Sequence, residues 1–201
     1  AKLAYNSVAA WLDGAAAPPE PVRAVAGVAE QLRTQDRVAQ AMRTQRHQHG
    51  ALGLETLEPR VVFAGDELAG LRIETKNRAK ELIEDFMIAA NGVTARYLDE
   101  HSFPSLRRVL RAPARWPRIV ELAAKYGEPL PAQPDSGALA QFLLHQRQRD
   151  ARSFPELSLT VVKLLGAGEY VLERPGEGAP GHFGLAVRDY THATAPNRRF
   201  P

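Results

Sequence analysis

Residues 76–100 hold the pattern that most constrains what this chain can fold into. Apolar and small side chains recur there at steps of three and four, at Leu82, Ile83, Phe86, Met87, Ala90, Thr94 and Leu98. This spacing predicts a long amphipathic α-helix with one continuous apolar face. Such a face needs other elements to cover it, so the remaining segments must supply partners for this helix.

Proline and glycine divide the rest of the sequence into shorter segments. Helical periodicity predicts five further helices, over residues 1–13, 22–48, 113–127, 136–152 and 155–165. Ser136 is the expected cap of the fourth of these. Alternating or β-branched runs predict strands over residues 51–57, 59–64, 68–73, 103–110, 170–172 and 182–187. The sequence therefore predicts a mixed α+β chain with more helix than strand.

The composition is that of an ordinary globular chain, with 44% hydrophobic and 24% charged residues. Cysteine is absent, which excludes disulfides and thiolate metal sites and favours a reducing cytoplasm. Neither a targeting leader nor a run of eighteen apolar residues is found, so no membrane partner is predicted. Arginine outnumbers lysine by twenty-one to five, which suits a nucleic-acid partner but is equally expected from GC-rich coding.

Two consecutive acids, Glu84 and Asp85, lie within the long helix. Because consecutive residues point about 100° apart on a helix, one of the two must lie near the apolar face. A partly buried carboxylate is either an anchor for a ligand or an internal salt-bridge partner, and the salt bridge is the commoner case. Asn91, two turns further along the face of Glu84, is a candidate second polar anchor.

Other candidate residues give weaker signals. Tyr5, beside the apolar stripe of the first helix, is either a core aromatic or a residue that stacks on a nucleotide. His47, His49 and His101 are candidate metal ligands, but a His-x-His pair with no nearby acid or third ligand is a weak signal, and imidazoles near a helix end are usually solvated or capping. A dense set of arginines predicts mainly a solvated face, with a wall for a polyanion as the alternative: Arg107, Arg108, Arg111, Arg115 and Arg118.

The last twenty-one residues, GHFGLAVRDYTHATAPNRRFP, form the most distinctive segment. An apolar run ends in a polar Tyr-Thr-His-x-Thr turn, and Pro196 suits the first turn of a helix. Arg198 and Arg199 then add charge to the backbone donors of a helix N-terminus, a combination that binds phosphate. A chain that stops one turn into such a helix is expected to be an internal piece of a longer protein.

Three segments together resemble the catalytic domain of the ribonuclease II / ribonuclease R family. They are AKLAYNSVAAWLDG (1–14), ELIEDFMIAANGVTARYL (81–98) and GHFGLAVRDYTHATAPNRRF (181–200). The family pattern is Leu-Ile-Glu-Glu-x-Met-x-x-Ala-Asn, followed by Gly-His-Phe-Gly-Leu and Tyr-Thr-His-x-Thr-Ser-Pro-Ile-Arg-Arg-Tyr. The resemblance implies that residues 1–201 are an internal part of one such domain, with helices packed around a mixed, partly barrel-like β-sheet.

The activity implied by the resemblance is that of a processive, Mg²⁺-dependent 3′→5′ exoribonuclease that hydrolyses single-stranded RNA to 5′-mononucleotides. The family's metal-binding aspartates lie N-terminal to the segments matched here, so no metal ligand is assigned in this chain. The segment alone is therefore expected to be inactive. The protein is expected to be a cytoplasmic monomer.

The resemblance also implies roles for individual residues. By analogy, Tyr5 contacts the terminal nucleotides, Glu84 reads the ribose hydroxyl and Arg198 acts beside the scissile phosphate. A second group belongs to the same C-terminal motif and is predicted to line the RNA: Thr191, His192 and Arg199.

Several positions depart from the family pattern. Ala195 and Asn197 replace a serine and an isoleucine before the arginine pair, and Phe200 replaces a tyrosine. Leu54 stands where some members clamp a base with an aromatic, and Leu110 stands where many members have histidine. These changes leave open a second hypothesis, a non-catalytic member or fragment that binds RNA or another protein. A third is a helical regulatory scaffold whose basic faces contact proteins.

Overall fold

The computed structural model of the chain describes residues 2–55, 58–74, 76–178, 180–194 and 196–198. The helices within them are α1 (Tyr5–Leu12), α2 (Glu20–Arg23), α3 (Val28–Gln48), α4 (Arg78–Glu100), α5 (Trp116–Lys125), α6 (Ser136–Arg149) and α7 (Phe154–Leu165). The strands are β1 (Glu58–Ala64), β2 (Glu67–Glu74), β3 (Ser105–Val109) and β4 (Glu169–Glu173). Two short 3₁₀ turns follow, Phe183–Leu185 and Pro196–Arg198. The chain is α+β, as the sequence predicts.

The fold divides into two compact units. The first comprises residues 1–43 and 57–86, and the second comprises residues 44–56 and 87–201. The boundaries fall within α3 and α4, so each of these helices contributes residues to both units.

The core of the first unit is built around Trp11. Its ring is buried together with Val8 on α1, Val22 on α2 and Ala79 on α4. On its open side the guanidinium of Arg33 lies 5.1 Å from the ring centroid, a cation–π contact. The apolar stripe of α1 is therefore the surface on which the neighbouring helices pack.

A buried ion pair joins α3 to α4 within the first unit. Arg78 donates from Nε to Asp36 Oδ1 at 2.8 Å and from Nη2 to Asp36 Oδ2 at 2.5 Å. Burial alone would raise the pKa of Asp36, but hydrogen bonds from Arg78 and Gln40 outweigh it and lower the pKa below its usual value. The carboxylate therefore stays charged and fixes the register of the two helices.

Strands β1 and β2 form an antiparallel hairpin across the Gly65-Asp66 turn, as predicted. Cross-strand pairs place one row of apolar side chains on a single face, including Val61 opposite Leu71 and Phe63 opposite Leu68. This face is exposed, with 73% of Leu71 and 67% of Leu68 accessible to solvent. The hairpin is therefore amphipathic and its apolar side is open.

The core of the second unit is formed by α5, α6 and α7. Its largest fully buried side chains are Trp116, Ile119, Leu139, Phe142, Leu143, Phe154 and Val161. The indole N–H of Trp116 donates to the Pro131 carbonyl at 2.8 Å, so the buried polar atom of this residue is satisfied. Asp135, and not the predicted Ser136, caps α6, because its Oδ1 accepts from the Ala138 amide at 2.9 Å.

Strands β3 and β4 pair antiparallel although 60 residues separate Val109 from Glu169, which face each other in this sheet. The buried face contains an ion pair between Arg107 and Glu173, with only 2% of the Arg107 side chain exposed. Among the described residues, Nη1 of Arg107 has no hydrogen-bond partner. This sheet therefore holds a charged pair inside the second unit.

The expected mixed, partly barrel-like sheet is not confirmed. The described strands form two separate two-stranded antiparallel sheets, β1–β2 and β3–β4. The predicted strand over residues 51–57 is also wrong for residues 51–55, which have no regular structure, and residues 56 and 57 lie outside the described part. The amide of Leu52 instead donates to the carbonyl of Gly184 at 2.9 Å.

Two further segments differ from the sequence predictions. The predicted helix over residues 22–48 is broken, because Gly27 adopts a φ of 81° between α2 and α3. The predicted strand over residues 182–187 is a tight loop in which His182 and Val187 pair and Ala186 adopts a φ of 52°. A Cβ on Gly181 would lie 2.5 Å from the Val187 carbonyl, so only glycine permits this closure.

Candidate nucleic-acid interface

The two consecutive acids of α4 have different environments in the first unit. Asp85 is 2% exposed and accepts hydrogen bonds from Arg43, from Nε at 3.1 Å and from Nη2 at 2.8 Å. Arg43 also pairs with Glu81. Burial alone would lower the pKa of Arg43, but the hydrogen bonds to both acids outweigh it and raise the pKa. The sequence does not indicate which of the two acids is the internal salt-bridge partner, and the structure identifies it as Asp85.

Glu84 lies on the solvent side of the same helix. Its side chain is 42% exposed and pairs with Lys76, which is itself half exposed. An exposed ion pair of this kind is weak, so a ligand can compete for the carboxylate at little cost. Tyr5, the first residue of α1, is 48% exposed. Both predicted RNA contacts of the first unit are thus accessible side chains.

In the second unit, residues 190–194 form an extended segment along β3, which we call the 190–194 segment. The carbonyl of Tyr190 accepts from the Arg108 amide at 2.8 Å. The hydroxyl of Thr191 donates to the Leu106 carbonyl at 2.6 Å and is buried. These bonds attach the segment to the edge of β3 that does not face β4.

Asn91 holds the far end of the 190–194 segment. This residue of α4 is 1% exposed, and its Oδ1 accepts from the amide of Thr194 at 3.0 Å and from its hydroxyl at 3.2 Å. Its Nδ2 lies 3.5 Å from the Tyr190 hydroxyl and donates toward it. Asn91 therefore anchors the protein's own 190–194 segment, and its role as an anchor for a ligand stays a prediction.

Aromatic rings surround the middle of the segment. Tyr190 meets His182 and His192 edge to face, with ring centroids 5.7 and 5.5 Å apart. His192 Nδ1 lies 2.6 Å from the hydroxyl of Tyr170 on β4. The guanidinium of Arg108 lies 4.9 Å from the centroid of the Tyr170 ring. The result is a continuous cluster of rings beside the segment that leads to Arg198.

His182 is neutral near pH 7. Burial, followed by the positive charge of Arg108, lowers its pKa to about 4, and His192 acts in the same direction. Its Nδ1 accepts from the Leu185 amide at 3.2 Å, which requires an unprotonated nitrogen. The positive charge of this cluster at neutral pH therefore comes from Arg108 and not from His182.

The arginine pair follows directly. Residues Pro196–Arg198 form a 3₁₀ turn, which agrees with the predicted helical start at Pro196. The side chain of Arg198 and the whole of Arg199 lie outside the described residues, as do Ala195 and Phe200. The predicted roles of the two arginines stay predictions.

The arginine-rich stretch after residue 106 is mainly solvated, as expected, but its first two arginines depart from this pattern. Arg107 is buried, Arg108 lies on Tyr170, and Arg111 pairs with Glu169 at 2.6 Å. Arg115 and Arg118 are exposed, as expected. The difference arises because alternate residues of β3 point to opposite faces of the sheet.

Three histidines outside the motif bond backbone carbonyls at helix ends. His47, His49 and His101 each place Nδ1 within hydrogen-bonding distance of a backbone carbonyl near a helix end, at 2.9, 2.7 and 2.8 Å. In the part of the chain that the structure describes, no three His, Asp or Glu side chains are grouped so as to hold a metal ion. These residues therefore do not supply a ligand set for Mg²⁺.

Sequence reasoning missed Tyr170 and Arg108 as neighbours of the motif. Tyr170 lies 20 residues before Tyr190, and Arg108 lies in the stretch assigned to a solvated face. The sequence predicted the two strands that contain these residues, but it did not predict that the strands pair with each other.

Of the described residues, none forms a helix long and apolar enough to cross a membrane.

Comparison with known proteins identifies the family. A family model described as the RNB domain matches residues 1–201. Ribonuclease R 1 of Lactococcus lactis is 28% identical over 206 residues, which cover all of this chain and 24% of that protein. DIS3-like exonuclease 2 of Caenorhabditis elegans is 31% identical over 179 residues, covering 82% of this chain and 20% of the relative. The chain thus spans about a quarter of the length of these curated relatives or less.

Solved structures agree on the fold. Mycoplasma genitalium RNase R in complex with ribose methylated single-stranded RNA superposes with a TM-score of 0.77 at 20% identity, over 96% of this chain and 29% of that one. The same enzyme in complex with double-stranded RNA superposes with a TM-score of 0.76 over 96% of this chain and 33% of that one. At this identity the likeness establishes the shared fold. Because the family match extends over its whole length, the chain belongs to the RNB domain family.

Proposed function

We propose that this chain is part of the catalytic domain of a processive 3′→5′ exoribonuclease that degrades single-stranded RNA. In each cycle water adds to the terminal phosphodiester, the 3′-oxygen of the preceding nucleotide leaves, and a 5′-mononucleotide is released. The names of the relatives support this reaction class, and the RNA bound in the Mycoplasma genitalium structure supports single-stranded RNA as the substrate.

The observation that best supports the proposal is the immobilised 190–194 segment. Asn91, the Leu106 carbonyl and the Arg108 amide hold it at three points between Tyr190 and Thr194, shortly before the arginine pair in the sequence. Electrostatic stabilisation of a phosphoryl transition state depends on donors that are already in place before reaction. A segment held at three points a few residues before Arg198 fits this requirement.

The proposed residue roles are those that the family resemblance implies, and the chemistry of each side chain is suited to its role. Arg198 would stabilise charge at the scissile phosphate with its planar fork of donors, with Arg199 as a second phosphate contact. Glu84 would accept from a ribose 2′-hydroxyl, and Tyr5 would contact the terminal nucleotides. His192 would line the RNA from a position that Tyr170 restrains. Thr191 was also predicted to line the RNA, but it is buried and its hydroxyl donates to the Leu106 carbonyl, so it would act by holding the segment in place.

Magnesium is the expected cofactor of the whole protein, with ligands outside this chain. When bound, it would polarise the phosphate and activate water. The roles proposed for residues of this chain are binding and orientation, and none depends on a metal held within it. A cytoplasmic location, a monomeric state and the inactivity of this segment alone remain predictions.

The decisive experiment incubates the complete protein that contains this chain with a 3′-tailed single-stranded RNA in Mg²⁺. We expect release of 5′-mononucleotides, and Arg198→Ala should lower kcat at least a hundredfold with a much smaller change in RNA affinity. Arg149→Ala, on the exposed end of α6, is the matched control and should be unchanged. RNA binding without any nucleotide release by the wild-type protein would establish the non-catalytic alternative.

A second measurement tests the ribose contact. Glu84→Ala should reduce the preference for a ribose over a deoxyribose at the RNA 3′ end. Because Glu84 pairs with Lys76, the control is Lys76→Ala, which breaks the ion pair but keeps the carboxylate. If both variants behaved alike, Glu84 would act only through the ion pair.

A further inference from the structure

Tyr170 lies outside the C-terminal motif, and its side chain contacts the His192 side chain within it. It lies on β4, opposite Arg108 of β3 in the antiparallel register. Cross-strand partners project from the same face of a sheet, which places the Arg108 guanidinium 4.9 Å from the Tyr170 ring centroid. The ring of Tyr170 is therefore held from one side by a side chain of the neighbouring strand.

Arg108 is itself held in place. Its Nη1 donates to the Gly168 carbonyl at 2.9 Å, and a Cβ on Gly168 would lie 2.7 Å from its Nη2. Glycine at this position thus leaves room for the guanidinium between the start of β4 and the Tyr170 ring. Any larger residue at position 168 would have to displace Arg108.

The other end of Tyr170 reaches the 190–194 segment. Its hydroxyl lies 2.6 Å from Nδ1 of His192, and the two rings meet edge to face with centroids 5.6 Å apart. His192 in turn packs edge to face against Tyr190. The path from Arg108 through Tyr170 to His192 is continuous, and His192 lies between the backbone anchor at Tyr190 and the Asn91 anchor at Thr194.

We propose that Tyr170 is a positioning residue for the exonuclease reaction, and that its hydroxyl orients His192 and with it the segment that precedes Arg198. The proposal rests on the proposed function. Asn91 and the β3 edge fix the backbone of the segment, whereas Tyr170 fixes a side chain within it. Removal of the hydroxyl should therefore disturb orientation at the reacting phosphate more than affinity or folding.

The test compares Tyr170→Phe with the wild-type complete protein. We expect kcat for nucleotide release to fall about three- to tenfold, the loss expected for one hydrogen bond, while RNA affinity in EDTA stays within about twofold and the melting temperature stays the same. Tyr126→Phe is the control, because Tyr126 has a similar exposure and lies at the end of α5, away from the motif. Equal kcat for Tyr170→Phe and wild type would overturn the proposal.

A double-variant cycle establishes the route of the effect. If Tyr170 acts through His192, Tyr170→Phe should have no further effect on kcat in a His192→Phe background. Gly168→Ala should reproduce part of the loss, since it displaces Arg108 from the Tyr170 ring. If the effects of Tyr170→Phe and His192→Phe on kcat were additive, Tyr170 would not act through His192. The absence of nucleotide release by the wild-type protein would instead refute the proposed function itself.

Discussion

The two antiparallel sheets of this chain have the same number of strands but opposite relations to the core. The β1–β2 hairpin is closed by a two-residue turn, and its apolar face is open to solvent. The β3–β4 sheet pairs strands that are 60 residues apart at their closest facing positions, and it buries a charged pair, Arg107 and Glu173. The local sequence specifies the pairing of the β1–β2 hairpin, whereas the pairing of β3 with β4 depends on how the rest of the unit packs.

The difference explains which sheet can support a functional site. The turn and the alternation of a short hairpin specify its pairing locally, although a two-stranded hairpin by itself is only marginally stable. A non-local pair forms only when the surrounding core brings its strands together, so its geometry is tied to that core. The 190–194 segment is attached to β3, the strand with the more constrained environment. A motif that must hold its position is better placed there than on an open hairpin.

The largest predicted loss of stability follows from replacement of Arg107, in the β3–β4 sheet. Arg107→Leu leaves Glu173 buried without the guanidinium and should lower the free energy of unfolding by about 3–5 kcal/mol. The double variant with Glu173→Leu should lose much less, because it buries no unbalanced charge. Each unit holds one of the chain's two tryptophans, so fluorescence of Trp116 reports this loss and Trp11 serves as the internal control. A double variant as unstable as the single one would contradict this explanation.

Loss of the Asn91 anchor should have the next largest effect. Asn91→Ala removes the acceptor for the amide and hydroxyl of Thr194 and should cost about 1–3 kcal/mol. Hydrogen exchange should also speed up at the Thr194 amide. Gln148→Ala, at an exposed position of α6, is the control and should be neutral. Unchanged exchange at Thr194 would mean that Asn91 does not hold the segment.

The pH dependence of stability should come from His182, whose pKa is lowered to about 4 from 6.5. Because the unfolded chain takes up a proton first, the stabilising contribution is complete above about pH 6.5 and is lost as the pH falls toward 4. The ring is partly exposed, so the loss between pH 7 and pH 5 should be on the order of 1 kcal/mol. In the His182→Asn variant, the melting temperature should depend much less on pH over this range. An equally steep pH dependence in the variant and the wild type would show that His182 is not its source.

The smallest effect should come from the open hairpin. Leu71→Thr replaces a 73% exposed side chain by one with good strand propensity and should change the free energy of unfolding by less than about 0.5 kcal/mol. Leu106→Thr, on the exposed face of β3, is the matched variant in the other sheet. Denaturant titration of both variants measures the effect. A loss above about 2 kcal/mol at Leu71 would show that its face is covered in solution.

Much of the local structure could be predicted, because its signals are local. The periodicity of residues 76–100 predicted α4, and the Gly65-Asp66 turn predicted the hairpin. The strand predicted over residues 182–187 was wrong, because a short apolar run is typical of a buried strand but does not determine one. Its loop conformation depends on Gly181 allowing close approach of Val187, and on the Phe183 amide donating to the Leu110 carbonyl at 2.8 Å.

By itself, the sequence determined the α+β class, the position of the long helix and the family, since each is encoded in spacing or in contiguous motifs. The tertiary structure alone decided that Asp85 and not Glu84 is buried, that Asn91 binds Thr194, and that Tyr170 reaches His192. These outcomes depend on contacts between residues far apart in the chain. No local pattern contains that information, because burial and hydrogen bonding are set by whichever side chains the packed core brings together.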